Sequence, residues 1–289
     1  MKVLITGALG QTGQELYRTA PAGTELICLD RQTLDITDAA AVLQSCRAAR
    51  PELIINAAAY TAVDKAETER NQAFAVNATG AGNLAAAAAA VGARFLHIST
   101  DFVFDGGKSS PYQPEDRTNP LSVYGASKLA GEELALAANS NSLIVRTGWL
   151  YGAHGQNFVK TILRLLGERE QLTVVADQVG TPTWTGSLAQ ALWAAAVKPE
   201  LRGIYHWSDA GVASWYDFAV AIQEEALPLG LLSRAIPIAP INTAAYPTPA
   251  RRPAYSVLDK SAAWRDFAIA GQHWRFALRR MLKELTDHA

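Results

Sequence analysis

A doubly wound α/β fold, a parallel sheet followed by a smaller mixed α/β domain, is predicted by three observations. The chain opens on an apolar run, Lys2-Val3-Leu4-Ile5-Thr6, that ends at three glycines spaced GxxGxxG, Gly7, Gly10 and Gly13. Short apolar runs then alternate with helix-compatible stretches to about residue 150, as expected of parallel strands covered on both faces. Beyond Trp149 this alternation gives way to helices mixed with short strands and Pro-rich turns. The 289 residues suffice for two such units, expected at 1–150 and 151–289.

The first unit is read from its opening turn. Glycines lack Cβ, so the backbone can turn sharply and approach a pyrophosphate, while the helix N-terminus that follows, with Gln11 and Thr12, presents unpaired N–H groups to the anion. This is the phosphate-binding turn of a Rossmann-type domain, although glycine triplets also occur in turns that bind nothing. A second buried strand, residues 25–29, ends at Asp30-Arg31, where such a fold places its ribose-reading acid. Asp30 favours a free 2′-hydroxyl and Arg31 a 2′-phosphate, so both NADH and NADPH are expected to serve. Asp35 and Ile36 are expected along the adenine edge, and residues 39–47 as a helix. A third strand, residues 53–56, runs into Ala57, Ala58 and Ala59, whose small side chains leave room for a ligand or simply pack closely. A long helix with Asn77 and an alanine block follows, then a strand over residues 94–99.

That strand delivers Ser99, Thr100 and Asp101 to the sheet edge that carries the glycine turn. A hydroxyl there can bond a substrate oxygen, or cap a turn. Tyr124 and Lys128 stand at i and i+4 on the next helix, so the ammonium is expected beside the phenol, favouring its ionised form and making it a usable acid near neutral pH. The strand over residues 143–147 closes the first unit. Helices are expected over residues 158–166, 186–197, 215–225 and 273–285. His154, His206 and His273 have no ligand spacing and read as structural.

Composition narrows the partners. Formal net charge is −1 and no Lys/Arg block stands out, which argues against a nucleic acid or an anionic membrane surface and for a small ligand. Two cysteines, Cys28 and Cys46, are too few for a disulfide framework or a Cys-based zinc site. As buried thiols they suit a reducing compartment, and with no leader and no spanning run the expectation is the cytoplasm.

Taken in order, the glycine turn, Asp30, Asn56 to Ala59, Ser99-Thr100 and Tyr124/Lys128 resemble the extended short-chain dehydrogenase/reductase family. STDFVFDG (99–106), NPLSVYGASKLAGE (119–132), RTGWLYG (146–152), DQVGTPTW (177–184) and YPTPARRP (246–253) resemble, within it, the dTDP-4-dehydrorhamnose reductases. The resemblance implies reduction of the C4 keto group of a dTDP-sugar in surface polysaccharide synthesis. Tyr124 would be proton donor, Lys128 would depress its pKa and hold the nicotinamide ribose, Thr100 would hold the keto oxygen, Asp101 would join these three as a catalytic residue, and Asp101 and Phe102 would flank the sugar. It also implies that a segment near 186–206 returns to the nucleotide unit and that residues 151–289 mainly bind substrate. Trp149 is expected to line the sugar pocket, while Trp184, Trp193, Trp207 and Trp215 are mostly core. Asn157 is expected to hold the diphosphate or the base, and Arg251 and Arg252 to clamp the phosphates.

Two residues depart from the family's pattern: Phe102 stands where Tyr is usual and Gly148 where Ser is usual. Some relatives hold Mg²⁺ between the subunits of a homodimer; Glu15 and Glu284 match two of its ligands, but residues 185–188 lack the matching acid, and two carboxylates hold magnesium poorly. Two rivals stand beside the reductase. One is another nucleotide-sugar epimerase or dehydratase of the family; the other is a non-catalytic regulatory subunit of the methionine adenosyltransferase type.

Overall fold

The computed structural model describes residues 1–287. Its first part runs β1 (Lys2–Thr6), α1 (Gln11–Arg18), β2 (Glu25–Leu29), α2 (Ala39–Ala49), β3 (Leu53–Asn56), α3 (Val63–Ala66), α4 (Arg70–Phe74), α5 (Gly80–Val91), β4 (Arg94–Thr100), α6 (Val123–Ala138) and β5 (Leu143–Thr147). The second part runs β6 (Leu150–Tyr151), α7 (Phe158–Glu168), β7 (Leu172–Val175), β8 (Val179–Gly180), β9 (Thr183–Trp184), α8 (Thr185–Ala196), β10 (Gly203–His206), β11 (Ala213–Ser214), α9 (Trp215–Ala226), β12 (Ile238–Ile241), α10 (Ser261–Phe267) and α11 (Trp274–Asp287).

Six parallel strands form the main sheet in the order β2-β1-β3-β4-β5-β10. Alternate side chains feed two cores, because successive strand residues point to opposite faces. Val3, Ile5, Leu53, Ile55 and Val145 pack with Leu16, Leu188 and Leu192 on one face. Leu4, Ile54, Phe95 and Ile144 pack with Val42, Leu84 and Ala88 on the other. The chain leaves β1 toward β2, then crosses back to β3, so strand order reverses between β1 and β3. The crevice outside the carboxyl ends of these strands is where a fold of this type binds ligands.

The second part has its own core, in which Tyr151, Val159, Ile162, Phe218, Leu278 and Met281 meet. Three of its elements return to the first. β10 pairs with β5, and α8 packs against the sheet through Leu188 and Leu192. α10 packs there as well through Ala263 and Phe267, which the motif pattern does not anticipate.

Two expectations need correction. β2 is not a buried strand: it is the edge of the sheet, paired on one side only, and its residues are exposed or half-buried. For that reason Cys28 on it is exposed, while Cys46 on α2 is buried. The alanine-rich helix is also interrupted. A π-helical turn over Ala75–Thr79 separates α4 from α5 and turns Asn77 inward, where it bonds the backbone N–H and carbonyl of Tyr60 and the Ser127 hydroxyl. The run Arg70–Val91 is long and apolar enough to cross a membrane, and its Ala81, Leu84, Ala85 and Ala88 are buried in the body of the protein.

Candidate active site

Two cavities share the carboxyl edge of the sheet. One, of about 640 Å³, is lined by Gly7, Gly10, Asp30, Arg31, Asp35 and Ile36, with Ala57, Ala58 and Ala59 on its inner wall. The other, of about 570 Å³, shares those alanines and Gly10 and continues past Gln11 and Thr12 to Thr100, Asp101, Tyr124 and Lys128. The residues expected to bind cofactor and those expected to do chemistry thus lie along one continuous cleft.

The glycine turn is compressed against its neighbours. Gly7 has φ +71°, and a Cβ there would lie 2.5 Å from the backbone nitrogen of Ala58. A Cβ on Gly13 would lie 2.3 Å from the Gly7 carbonyl oxygen, so α1 closes directly onto the turn. Gly10 is the N-cap of α1 and has no side chain to satisfy the helix's first N–H groups. This cradle suits an anion held by backbone donors, and it fits the pyrophosphate of a dinucleotide.

At the ribose end, the Asp30 carboxylate accepts from the backbone N–H groups of Gln32 and Thr33 and from the Thr33 hydroxyl, which lower its pKa. Asp35 accepts from the backbone N–H and hydroxyl of Thr37. Both acids therefore shape their loops as well as facing the cavity. Arg31 is exposed beside them.

The end expected to do the chemistry differs from expectation in one respect. Tyr124 and Lys128 do share a face of α6, whose N-cap Ser122 accepts from the Gly125 N–H. The Lys128 amino group, however, is bonded elsewhere than to the phenol. It is turned inward, where Nζ donates to the Ile98 carbonyl at 2.7 Å and lies 3.2 Å from His97 Nε2. Burial pulls its pKa down to about 8. The Tyr124 phenol is pushed up to about 12, chiefly by burial and further by the Asp101 carboxylate, with the Thr100 hydroxyl opposing. A one-helix argument cannot see this, because the partners that turn the lysine belong to β4.

Asp101 is buried, and its pKa rises to about 6 because desolvation outweighs its bonds to Ser256 and Thr100. Its carboxylate occupies space left by Gly148: a Cβ there would lie 2.5 Å from the Asp101 carboxyl carbon. Phe102 meets Tyr124 edge-on, with centroids 5.6 Å apart.

A family model described as "RmlD substrate binding domain" matches residues 1–287. The chain belongs to the dTDP-4-dehydrorhamnose reductase family. It is 44% identical over 291 residues to the dTDP-4-dehydrorhamnose reductase of Sinorhizobium fredii, covering 98% of this chain and 97% of the relative. The crystal structure of a dTDP-4-dehydrorhamnose reductase from Clostridium acetobutylicum superposes with a TM-score of 0.93 at 42% identity, covering 99% of each chain. That of the Bacillus anthracis enzyme in complex with NADP superposes with a TM-score of 0.93 at 38% identity, covering 98% of this chain and 99% of that one.

The remaining residues singled out from the family's motifs divide. Trp149 lines the second cavity, with φ +53°, and stacks on Trp215 at a centroid distance of 3.5 Å. Left-handed backbone in so bulky a residue is uncommon, and the stack holds it there. Trp215 lines the cavity too and is not simply core. Asn157 is otherwise engaged: its side chain caps α7 by accepting from Lys160 N–H and donates to the Gly152 carbonyl and Gln11 Oε1. Arg252 lines the cavity but grips Asp64 bidentately at 3.0 and 2.9 Å, whereas Arg251 is exposed and outside the lining.

His97 lies outside every motif of the sequence, and Asn56 enters only as the start of the Asn56 to Ala59 run. The signal was present, since a histidine and an asparagine in otherwise apolar parallel strands must find partners inside. Magnesium does not fit the residues present. The Arg18 guanidinium already bridges Glu15 at 2.7 Å and Glu284 at 3.3 Å, which puts a fixed cation between the two carboxylates.

Proposed function

We propose that this reductase-family chain reduces the C4 keto group of dTDP-4-dehydro-L-rhamnose to dTDP-L-rhamnose, using NADPH or NADH, within rhamnose and surface polysaccharide synthesis. The observation that carries the reading is the cleft itself: a glycine turn shaped for a pyrophosphate opens into the cavity lined by Thr100, Asp101, Tyr124 and Lys128. The nicotinamide cofactor, when bound, supplies the hydride. Gly7, Gly10, Gln11, Thr12 and Gly13 would hold its pyrophosphate, Asp30 and Arg31 its ribose, and Asp35, Ile36 and Ala57 to Ala59 its adenine side. In this division residues 1–150, with the returning segments, bind cofactor, and most of 151–289 binds substrate.

Tyr124 gives its proton to the incipient C4 alkoxide. A phenol pushed up to about 12 is fully protonated at neutral pH, so the proton is on hand, and a cation brought beside it lowers that value and makes it the stronger acid the transfer needs. Thr100 donates to the same oxygen and orients it. Lys128, leaving its inward site, holds the nicotinamide ribose and places a positive charge near the phenolate that forms. The buried Asp101 flanks the sugar together with Phe102, and Trp149 gives it an aromatic wall. Arg252 would meet the substrate diphosphate by sharing or exchanging its hold on Asp64, with Arg251 beside it.

Dehydration is disfavoured by the residue after Asp101. Removing water across C5 and C6 needs a further acid and base, and the Phe102 ring can neither take nor return a proton. The test follows cofactor absorbance with dTDP-4-dehydro-L-rhamnose. One NAD(P)H is expected to be oxidised per keto-sugar reduced, dTDP-glucose should not be dehydrated, and Tyr124→Phe should lose most turnover while keeping cofactor binding. Formation of a 4-keto-6-deoxy sugar from dTDP-glucose without added cofactor would overturn the assignment.

A further inference from the structure

A buried polar chain crosses the carboxyl ends of three strands and ends on Lys128, and its hydrogen-bond directions can be worked out one donor at a time. Asn56 Oδ1 accepts from the Ala58 backbone N–H at 3.0 Å and from the Thr6 hydroxyl at 2.8 Å. A backbone N–H can only donate, which identifies that atom as the oxygen. The Asn56 amide nitrogen therefore faces His97 Nδ1, 2.9 Å away, and donates to it. A ring nitrogen that accepts carries no proton, so the His97 proton sits on Nε2 of a neutral imidazole. Full burial also pushes the His97 pKa well down, in keeping with a neutral ring.

Nε2–H lies 3.2 Å from Lys128 Nζ, and Nζ donates to the Ile98 carbonyl. An ammonium has donors only and cannot accept from Nε2–H, whereas an amine has one lone pair that can. The other charged or titratable groups around Lys128 are Glu132 one turn on, Tyr124 one turn back, and Asp101 beside Tyr124. Glu132 attracts a charged lysine, but it is itself held by Arg146 through bonds of 2.7–3.1 Å.

We propose that His97 is a positioning residue that ties the charge of Lys128 to its place: its Nε2–H, which only a lone pair can accept, drives Lys128 toward the uncharged amine while it is turned inward on Ile98 and His97, and releases it as an ammonium once it leaves them for Tyr124. Leaving takes up one proton from solvent. The positive charge that steadies the Tyr124 phenolate is then present only where it is useful. The inference rests on reading Tyr124 and Lys128 as the catalytic pair.

The ring itself can be read without substrate, by long-range ¹⁵N–¹H NMR of the full chain labelled at histidine, with the His97 signals assigned by their loss in His97→Gln. At pH 7 the Nε2–H tautomer is expected. An Nδ1–H tautomer, or an imidazolium, would overturn the proposal. Asn56→Asp supplies the functional arm, because a carboxylate oxygen against Nδ1 turns the ring to Nδ1–H and lets Nε2 accept from an inward ammonium. The limb of the kcat/KM pH profile that belongs to Lys128 should then move up by about one unit or more. Adding His97→Phe should abolish that movement. A turned tautomer with an unmoved limb, or a movement that survives His97→Phe, would count against His97. Failure of the wild-type chain to oxidise NADPH with dTDP-4-dehydro-L-rhamnose would instead sink the reductase reading and leave the tautomer result standing.

Discussion

Asp101 is 2% exposed and its Oδ2 has no hydrogen-bond partner among the described residues, so ionising it forfeits solvation that its bonds to Ser256 and Thr100 only partly restore. Its pKa is raised from 3.8 to about 6, so between those values the folded state binds more protons than the unfolded one and stability falls as pH rises. Above about 6 the full cost is present. Asp101→Asn keeps the shape and removes the charge, and is expected to stabilise the protein by about 1–3 kcal/mol at pH 7.5. Melting curves should show that gain shrinking toward pH 4; an equal gain at both pH values would mean that the charge is not the cause. At the other end of the cleft, Asp30 is bound to Thr33 and Gln32 while Arg31 stands exposed on the cavity wall. Arg31→Ala is expected to cost NADPH about 1.5–3 kcal/mol of binding, the range of a charge-assisted hydrogen bond, with NADH little affected. Titration of each cofactor by fluorescence distinguishes this from an equal loss, which would place Arg31 away from the 2′-phosphate.

Elements meet at Glu132. This α6 carboxylate is 1% exposed, grips Arg146 of β5 and accepts from the Ser99 hydroxyl of β4, so one buried ion pair pins the helix carrying Tyr124 to the two strands beneath it. Removing one partner of a buried pair leaves the other uncompensated. Glu132→Gln is therefore expected to destabilise by about 3–5 kcal/mol, read as a lower urea midpoint; a change under about 1 kcal/mol would show that the pair is dispensable. The sequence made α6 and the shared face of Tyr124 and Lys128 legible, because periodicity is local. It did not reveal where the lysine points, since that depends on the Ile98 carbonyl and His97, some thirty residues earlier. The stacking of Trp149 on Trp215 was hidden for the same reason: no local pattern pairs residues brought together by two different segments.

Across the whole molecule, the glycine-turn helix and the second core are joined by Asn157. It donates to Gln11 Oε1 at 2.9 Å while capping α7. Asn157→Ala is expected to lose about 0.5–2 kcal/mol of stability through the cap. Because the same side chain bridges the two parts of the cleft, KM for the sugar nucleotide should rise about two- to tenfold, with KM for cofactor changed less. Steady-state kinetics with each substrate varied in turn would reveal the opposite pattern if Asn157 served the cofactor alone. The expected division near residue 150 rests on the change of sequence pattern at Trp149. The return of α10 to the first core was not legible, since a seven-residue helix with two buried side chains leaves too little periodicity to assign a face.

The crowding around the glycines has a genetic consequence. A Cβ at Gly7 or Gly13 would meet backbone atoms first, those of Ala57 and Ala58 in one case and of Gly7 and Ala8 in the other. No substitution elsewhere can trim a main chain, so mutations at these two positions lack second-site suppressors. Gly148 is different, because its obstacle is the Asp101 side chain. A residue forced in at 148 can be accommodated by a shift of that one side chain, as the Ser usual there in the family requires, while Gly7 and Gly13 can only stay or revert.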